Sequence, residues 1–262
     1  MHRTVRMKKR CAFSAVTLLI AASSATPGFA QPGRRLESPA NRSLVVIVRV
    51  KPEMLGAWLD LQKKAVVPAL KKSGVTSRTV YSSRVFGTAF EYRILQPLSR
   101  FADFDFVASQ AEGFGSAAND KLAEQLRKCL GGASSFLSTA LPELSNPPDD
   151  KAPPIIQFLR LHIGAGKMEE YKQVYKSEVV PALKKAGAYV NVASRRLGTD
   201  GLDLTFETPL KSFADLDAPP ALLRSLGSEG AARLTAKLNG LATVVENTIW
   251  VRENDLSFQE ER

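Results

Sequence analysis

The nine residues VVPALKKSG at positions 66–74 recur as VVPALKKAG at positions 179–187, with eight of nine residues identical. A second pair, PLSRFADFD at 97–105 and PLKSFADLD at 209–217, agrees at six of nine positions. The pattern Ser-Arg-x-x-Gly lies between these blocks in both places, with its arginine at Arg84 and at Arg195. Matches in one order at nearly constant spacing predict a tandem duplication.

The duplication divides the 262 residues into units near the usual size of a small domain. The stretch LPELSNPPDDKAPP at 141–154 is rich in proline and has no apolar periodicity, which is typical of a linker. We expect a signal peptide at 1–30, a linker at 31–42, a first unit at 43–142, a linker at 143–153, a second unit at 154–256 and a tail at 257–262.

Both units show one order of elements. Each opens with a β-branched apolar run, LVVIVRV at 44–50 and IIQFLRL at 155–161, and continues with an amphipathic helix that we expect to kink at Pro68 or Pro181. Two strands, a second helix and a final extended segment follow. In the second unit, Ser212 and Asp215 fit a capping box. The pattern predicts an α+β protein with two tandem ferredoxin-like β-α-β-β-α-β units.

The first 30 residues have the three parts of a secretory signal peptide: a basic start, a short apolar run and small residues before a predicted cleavage site between Ala30 and Gln31. An uncleaved anchor is the alternative, but the apolar run is shorter than the roughly 20 residues of a membrane span. We therefore expect a periplasmic or secreted protein without stable membrane insertion. Cleavage would leave Cys129 as the single thiol, in a helical pattern typical of a buried hydrophobe.

The net charge of +10 does not indicate a nucleic-acid partner. Five of the basic residues and no acidic ones lie in the signal peptide. Most lysines of the repeated helices fall on their polar faces, without interleaved aromatic residues. We expect no nucleic acid as a partner, and a monomer with pseudo-dimeric repeats.

The repeated helix ending in V-x-P-A-L-K-K-x-G, the two strands joined at a glycine, the Pro-Leu block with Phe-Ala-Asp and the final strand resemble the dimeric α/β-barrel superfamily. Domains of the NIPSNAP-like and antibiotic-biosynthesis-monooxygenase-like types are the most similar within it. The resemblance implies that the two units pack their sheets into an intramolecular pseudo-dimeric α/β barrel with the helices outside. Cofactor-free oxygenation, isomerisation, haem chemistry and ligand binding all occur on this fold, so the resemblance does not select an activity.

Charged residues on apolar strand faces are the first candidates for a site. Arg49, and Arg160 with His162, alternate with apolar neighbours, and a cation in an apolar layer is costly unless it is paired. One interpretation is a salt bridge to Glu91 or Glu207 on a neighbouring strand.

The other interpretation is a ligand pocket that binds an anion or stabilises an enolate, with Trp58, Tyr92 or Tyr171 as walls. Repetition of Arg84 and Arg195 favours a structural role for this pair. The sequence predicts no metal site and no cofactor, although a haem held by His162 alone stays open.

Three functions remain open at this point. The first is an exported protein that binds a small hydrophobic or anionic molecule. The second is a cofactor-independent oxygenase or isomerase acting on a hydrophobic, oxygen-bearing substrate, and the third is a structural or interaction module whose interior is filled by side chains. An open cavity lined by arginine, tyrosine and histidine would favour the first two.

Overall fold

The computed structural model describes residues 41–73, 75–98, 100–101, 117–148 and 152–259. The predicted signal peptide, nearly all of the first predicted linker and most of the first Phe-Ala-Asp block lie outside these residues. Among the described residues, no helix combines the length and the apolar character needed to cross a membrane.

Nine strands and six α-helical segments make up the regular structure of the described residues. The strands are β1 Arg42–Val50, β2 Ser77–Ser82, β3 Glu91–Pro97, β4 Leu130–Ala140, β5 Ile155–Ile163, β6 Asn191–Arg195, β7 Asp203–Leu210, β8 Ala242–Arg252 and β9 Phe258–Gln259. The helices are α1 Leu55–Leu61, α2 Val67–Lys72, α3 Ala117–Cys129, α4 Met168–Val174, α5 Val180–Lys185 and α6 Ala221–Asn239.

Strands β1 to β8 close into an antiparallel barrel. The order around it is β2-β3-β1-β4-β6-β7-β5-β8, and β8 pairs with β2 to complete the ring. The first four strands are therefore arranged as β2-β3-β1-β4 and the next four as β6-β7-β5-β8, which is the same order. The predicted α+β class and the ferredoxin-like, dimeric α/β-barrel type of fold are confirmed.

Each strand presents one face to helices and the other to the barrel interior. In the first half of the chain, the helix-facing core contains Val46 and Val48 of β1 together with Trp58, Leu126 and the buried Cys129. A matching cluster in the second half packs β5, β6 and β7 against α4, α5 and α6. The opposite faces meet inside the barrel, where side chains from both halves form a third cluster, namely Tyr81, Leu95, Ile156, Phe158 and Trp250.

In each of the two repeated helices, a wide π-helical turn lies just before the proline, Pro68 or Pro181. A π-helical segment, Gln62–Val66 or Tyr175–Val179, directly precedes the short helix in which each proline stands at the second position. A proline has no N–H to donate to the carbonyl four residues earlier, so the hydrogen-bond pattern must change in this turn. The expected kinks thus take the form of π turns, and the same irregularity occurs in both halves.

The segments after β4 and β8 each pack on the other half. Leu144, in a 3-10 turn after β4, is fully buried in the second-half core, and Asn146 bridges to Val190. Leu256 and Phe258, after β8, are buried in the first-half core. The predicted linker and the start of the predicted tail therefore each contribute a buried side chain to the opposite core, Leu144 and Phe258 respectively. Residues 149–151 of the linker and 260–262 of the tail lie outside the described part.

The predicted capping box is confirmed. It opens a 3-10 helix, Phe213–Asp217, rather than an α-helix. The Asp215 carboxylate accepts hydrogen bonds from the backbone N–H groups of Lys211 and Ser212, at 2.6 and 3.4 Å.

Candidate functional site

A network of ion pairs crosses the interior of the barrel. Arg160 on β5 donates from Nη1 to Asp203 Oδ2 at 2.9 Å and from Nε to Glu246 Oε2 at 3.3 Å. The other oxygen of Asp203 lies 3.0 Å from His162 Nδ1. Strands β7, β5 and β8 are neighbours, so one arginine reaches carboxylates on both sides of its own strand.

Two further arginines in the interior lie over aromatic rings. Arg93 on β3 is 4.5 Å from the centre of the Phe158 ring, and its Nη1 is 2.6 Å from Glu207 Oε1. Arg195 on β6 is 3.7 Å from the centre of the Phe136 ring. Face-on contacts of this kind stabilise a desolvated guanidinium. Both contacts join the two halves of the chain.

Burial and neighbouring groups shift the pKa values of Asp203 and Arg195. Burial alone would raise the pKa of Asp203, but the hydrogen bonds from His162 and Arg160 outweigh it and lower that pKa. Burial lowers the pKa of Arg195, and the nearby Arg160 acts in the same direction. Asp203 therefore stays ionised and holds the cations around it.

The expected salt bridge of Arg160 exists, but with partners other than those predicted. Asp203 and Glu246 take the place of Glu91 and Glu207, and Glu207 pairs with Arg93 instead. The reason is register: Asp203 and Glu246 lie beside Arg160 and His162 on the adjacent strands, whereas Glu207 lies opposite Phe158.

The six candidate side chains occupy three places and do not form one pocket. Arg160 and His162 share the interior network. Arg49 lies on the same face of β1 as Val45 and Ile47 but is exposed, and its register partner is Glu91 on β3.

The aromatic candidates lie on the other side of the sheet. Trp58 and Tyr92 pack together in the first-half core with ring centres 4.3 Å apart. Tyr171 belongs to the second-half core, where its ring stacks on Tyr175 and meets the edge of Phe206.

An apolar cavity of about 380 Å³ opens between the sheet and the helices of the second half. Tyr171, Tyr175 and Phe206 supply aromatic walls, and Asn239 and Asn247 add amide groups. The other lining residues are Gln157, Leu159, Leu161, Val179, Leu183, Ala188, Tyr189, Val190, Thr208, Pro220, Ala221, Leu222, Thr235, Leu238, Ala242 and Val244.

Two tyrosine hydroxyls border this cavity without a hydrogen-bond partner among the described residues, although both residues are largely buried. The side chains of Tyr171 and Tyr175 are only 1% and 6% exposed. Neither hydroxyl makes a hydrogen bond to any residue in the described part of the chain. Burial raises the pKa of both phenols well above their usual value, so both are neutral hydrogen-bond donors.

A second cavity, of about 400 Å³, lies at the barrel wall and is polar. Its lining includes Glu91, Arg160 and Glu246 together with two threonines. The apolar and polar cavities share no residue.

The repeated arginines have different environments. Arg84 forms a two-pronged salt bridge with Glu253 near the end of β8, at 2.7 and 2.9 Å from Nη2. Arg195 points into the barrel, where it lies 3.8 Å from Asp203. The repetition of the motif therefore does not mean that its arginine has one role.

Arg93, Asp203 and Glu246 were not identified from the sequence, nor was the pairing of Tyr175 with Tyr171. Strand alternation carries a signal for two of them, since Arg93 shares a strand face with Glu91 and Asp203 shares one with Glu207. Tyr175 stands four residues after Tyr171 on the same helix face.

The carboxylates of Asp200 and Asp203 and the imidazole of His162 have ligand atoms within 4.8 Å of one another. Asp203 is already engaged by Arg160, and a guanidinium so close opposes a bound cation.

No protein-family model matches the sequence, and no curated protein does. The chain is similar to solved structures, among them an anthrone oxidase-like protein (TM-score 0.58, 11% identity, 84% of this chain and 93% of that one). A proposed monooxygenase from Lactobacillus acidophilus NCFM matches with a TM-score of 0.50 and 8% identity over 83% of this chain and 95% of its own. A proposed chlorite dismutase matches with a TM-score of 0.51 and 9% identity, over 82% of this chain and 96% of its own. At such identities the likeness establishes a dimeric α/β-barrel-like fold and not an activity.

Proposed function

We propose that the protein is an exported binding protein that holds a small, neutral, hydrophobic molecule bearing an oxygen acceptor in the apolar cavity of its second half. The single observation that carries the proposal is the pair of unpartnered tyrosine hydroxyls at the wall of that cavity. A carbonyl oxygen of a ligand in the cavity would accept a hydrogen bond from each hydroxyl, worth about 1 kcal/mol per bond.

The chemistry of the walls restricts the ligand. Four aromatic rings, that of Tyr189 included, and several aliphatic side chains favour a flat apolar body. The raised pKa values of Tyr171 and Tyr175 reflect an environment that disfavours negative charge, so a neutral carbonyl compound fits better than a carboxylate.

The duplication is part of the proposal. We infer that the chain is a fused pseudo-dimer of two similar units, which works as a monomer. Three features support this inference: the equal strand orders, the π turn before Pro68 and Pro181, and the reciprocal packing of Leu144 and Leu256 on opposite halves. Export rests on the sequence of residues 1–30.

The test compares 9-fluorenone, a neutral aryl ketone, with fluorene, which has the same ring system without the carbonyl oxygen. Equilibrium dialysis against the purified protein should show tighter binding of fluorenone. The double variant Y171F/Y175F should remove most of that preference, about tenfold for two neutral hydrogen bonds. Affinity for fluorene should remain.

Two further variants locate the site. Ala242 on β8 lines the cavity, so A242F should fill it and abolish binding of both compounds. Ala236 is exposed on α6 and outside the lining, so A236F should bind both normally. Equal binding of the two compounds by wild type, or binding that survives A242F, would rule out this site. Failure of every apolar ligand to bind would leave the structural or interaction module as the better account.

A cofactor-independent oxygenase is the second candidate, favoured by the fold shared with the anthrone oxidase-like protein and the proposed monooxygenase. In such a reaction anthrone and O₂ would give anthraquinone and water, and the cavity would hold the tricyclic substrate. Oxygen consumption in the presence of anthrone should then depend on Ala242 in the same way as binding does. Binding without oxygen consumption would favour the plain binding protein.

A further inference from the structure

The apolar cavity reaches the protein surface at a mouth where its lining side chains are exposed. Tyr189 and Val244 both belong to the lining, yet they are 48% and 59% exposed. Leu223, directly after the lining residue Leu222 in α6, is 38% exposed. Single exposed apolar residues are common on protein surfaces, but several of them at the opening of an apolar cavity indicate contact with an apolar partner.

Basic side chains lie beside this mouth. Lys184 and Lys185 directly follow the lining residue Leu183 at the end of α5. Arg224, one turn into α6, donates from Nη2 to the carbonyl oxygen of Ala186 at 3.5 Å. The ends of α5 and α6 that border the mouth therefore bring three exposed cations together.

These three cations have no acidic partners. None of them forms a salt bridge within 4.0 Å among the residues that the structure describes. Glu178, the acidic residue nearest to the two lysines along the chain, is already paired with Lys237. The surface around the mouth therefore combines exposed apolar side chains with unpaired positive charge.

We propose that this surface docks on an anionic lipid bilayer, with the mouth of the apolar cavity against the membrane. Apolar side chains enter the boundary between headgroups and acyl chains, a tyrosine ring has an apolar body and a polar tip suited to that boundary, and lysine and arginine bind anionic headgroups. An acidic protein would also attract the cations, but only a bilayer dissolves the kind of molecule that the cavity fits.

The inference rests on the proposed function in one respect. A small hydrophobic ligand would pass between the membrane and the cavity without crossing water, which gives the position of the docking surface a purpose. The contact is peripheral, since among the described residues no helix has the length and apolar character to cross a membrane.

The repeated helix supplies a matched control for the electrostatic part. K184Q/K185Q and K71Q/K72Q remove the same two exposed charges from the same VPALKK segment, at the ends of α5 and α2. Wild type should sediment with vesicles of phosphatidylcholine and phosphatidylglycerol in equal amounts, and less with phosphatidylcholine alone. K184Q/K185Q should weaken binding to the mixed vesicles at least about tenfold, and K71Q/K72Q should stay within about twofold of wild type. All variants share residues 1–30, so any binding by that apolar run is common to them.

Tryptophan reporters test which face meets the membrane. Y189W places an indole at the mouth, and L197W places one at a residue that is 65% exposed beside β4, across the barrel from β8. The native Trp58 and Trp250 are buried. Phosphatidylglycerol brominated on its acyl chains should therefore quench the fluorescence of Y189W with saturation, whereas L197W should respond no more than wild type.

Each outcome decides the proposal. It is overturned if wild type does not sediment with the mixed vesicles, if both lysine pairs weaken binding equally, or if L197W is quenched as strongly as Y189W. K184Q/K185Q should still bind 9-fluorenone in equilibrium dialysis without vesicles. Loss of fluorenone binding therefore tests the cavity, and loss of vesicle binding tests the docking surface, so the two proposals can fail separately.

Discussion

The ion pair of Arg93 and Glu207 provides a quantitative test of how the barrel interior is stabilised. The Arg93 side chain is 2% exposed, whereas Glu207 is 21% exposed and retains some access to water. Removing one partner of a buried pair costs about 3–5 kcal/mol because the other charge is left uncompensated. We expect E207L to lose close to that much free energy of unfolding, because it leaves the fully buried Arg93 guanidinium without its carboxylate. The remaining described contact of that guanidinium is the ring of Phe158.

The reverse variant should be milder. R93M leaves Glu207 unpaired, but the carboxylate can be hydrated or protonated, so we expect about 1–3 kcal/mol. The double variant R93M/E207L removes both charges and should lie within about 1 kcal/mol of wild type. Urea unfolding followed by circular dichroism measures all four proteins. If the two single losses simply added in the double variant, or if E207L cost less than R93M, the reasoning would be refuted.

Three more predictions rest on separate features. L144A and L256A should each lower the free energy of unfolding in urea by about 2–5 kcal/mol, because each truncates a fully buried side chain that packs on the opposite half; a loss below 1 kcal/mol for either would contradict that packing. G198A should be less stable than G201A by at least about 1 kcal/mol: both glycines have positive φ, but a Cβ at 198 would lie 2.5 Å from the Ser135 carbonyl oxygen and one at 201 would meet nothing. E91Q should be more stable than wild type at pH 7 and equal to it at pH 3, with the difference in the free energy of unfolding growing as pH rises above about 4.5. The reason is that an acid whose pKa is raised in the folded state destabilises that state once it ionises. A difference that stays constant from pH 3 to pH 7 would show that ionisation of Glu91, with Arg49, Arg160 and Glu246 around it, does not cause this pH dependence.

The repeat made the fold predictable. Once VVPALKKSG and VVPALKKAG mark equivalent helix ends, the strands before and after them can be aligned and the order β-α-β-β-α-β follows. The contacts that each half makes with a segment of the other half were harder to predict. Leu144 and Leu256 lie in polar, proline-containing or terminal segments, and their burial depends on the opposite half, which no local pattern describes. The same holds for β9, whose partner β2 lies far away in the chain.

Much less of the candidate sites could be predicted. Alternation identifies which residues of one strand share a face, and it placed Arg160 with His162 correctly. The partners depend on which strands are neighbours and in what register, so Asp203 and Glu246 could not be chosen over Glu91 and Glu207. The apolar cavity has an even weaker signal, because the spacing of Tyr171 and Tyr175 suits a filled core as well as an open one.

The two Ser-Arg-x-x-Gly segments explain why a repeated motif need not repeat a role. Val80 on β2 and Val192 on β6 both face the helices. Arg84 stands four residues after Val80, whereas Arg195 stands three residues after Val192. Because strand side chains alternate, this difference of one residue directs the two arginines to opposite sides of the sheet. Arg84 reaches Glu253 near the end of β8, and Arg195 enters the barrel beside Phe136 and Asp203. In two similar sequence segments, a shift of one position is enough to place one arginine in the barrel interior and the other at its edge.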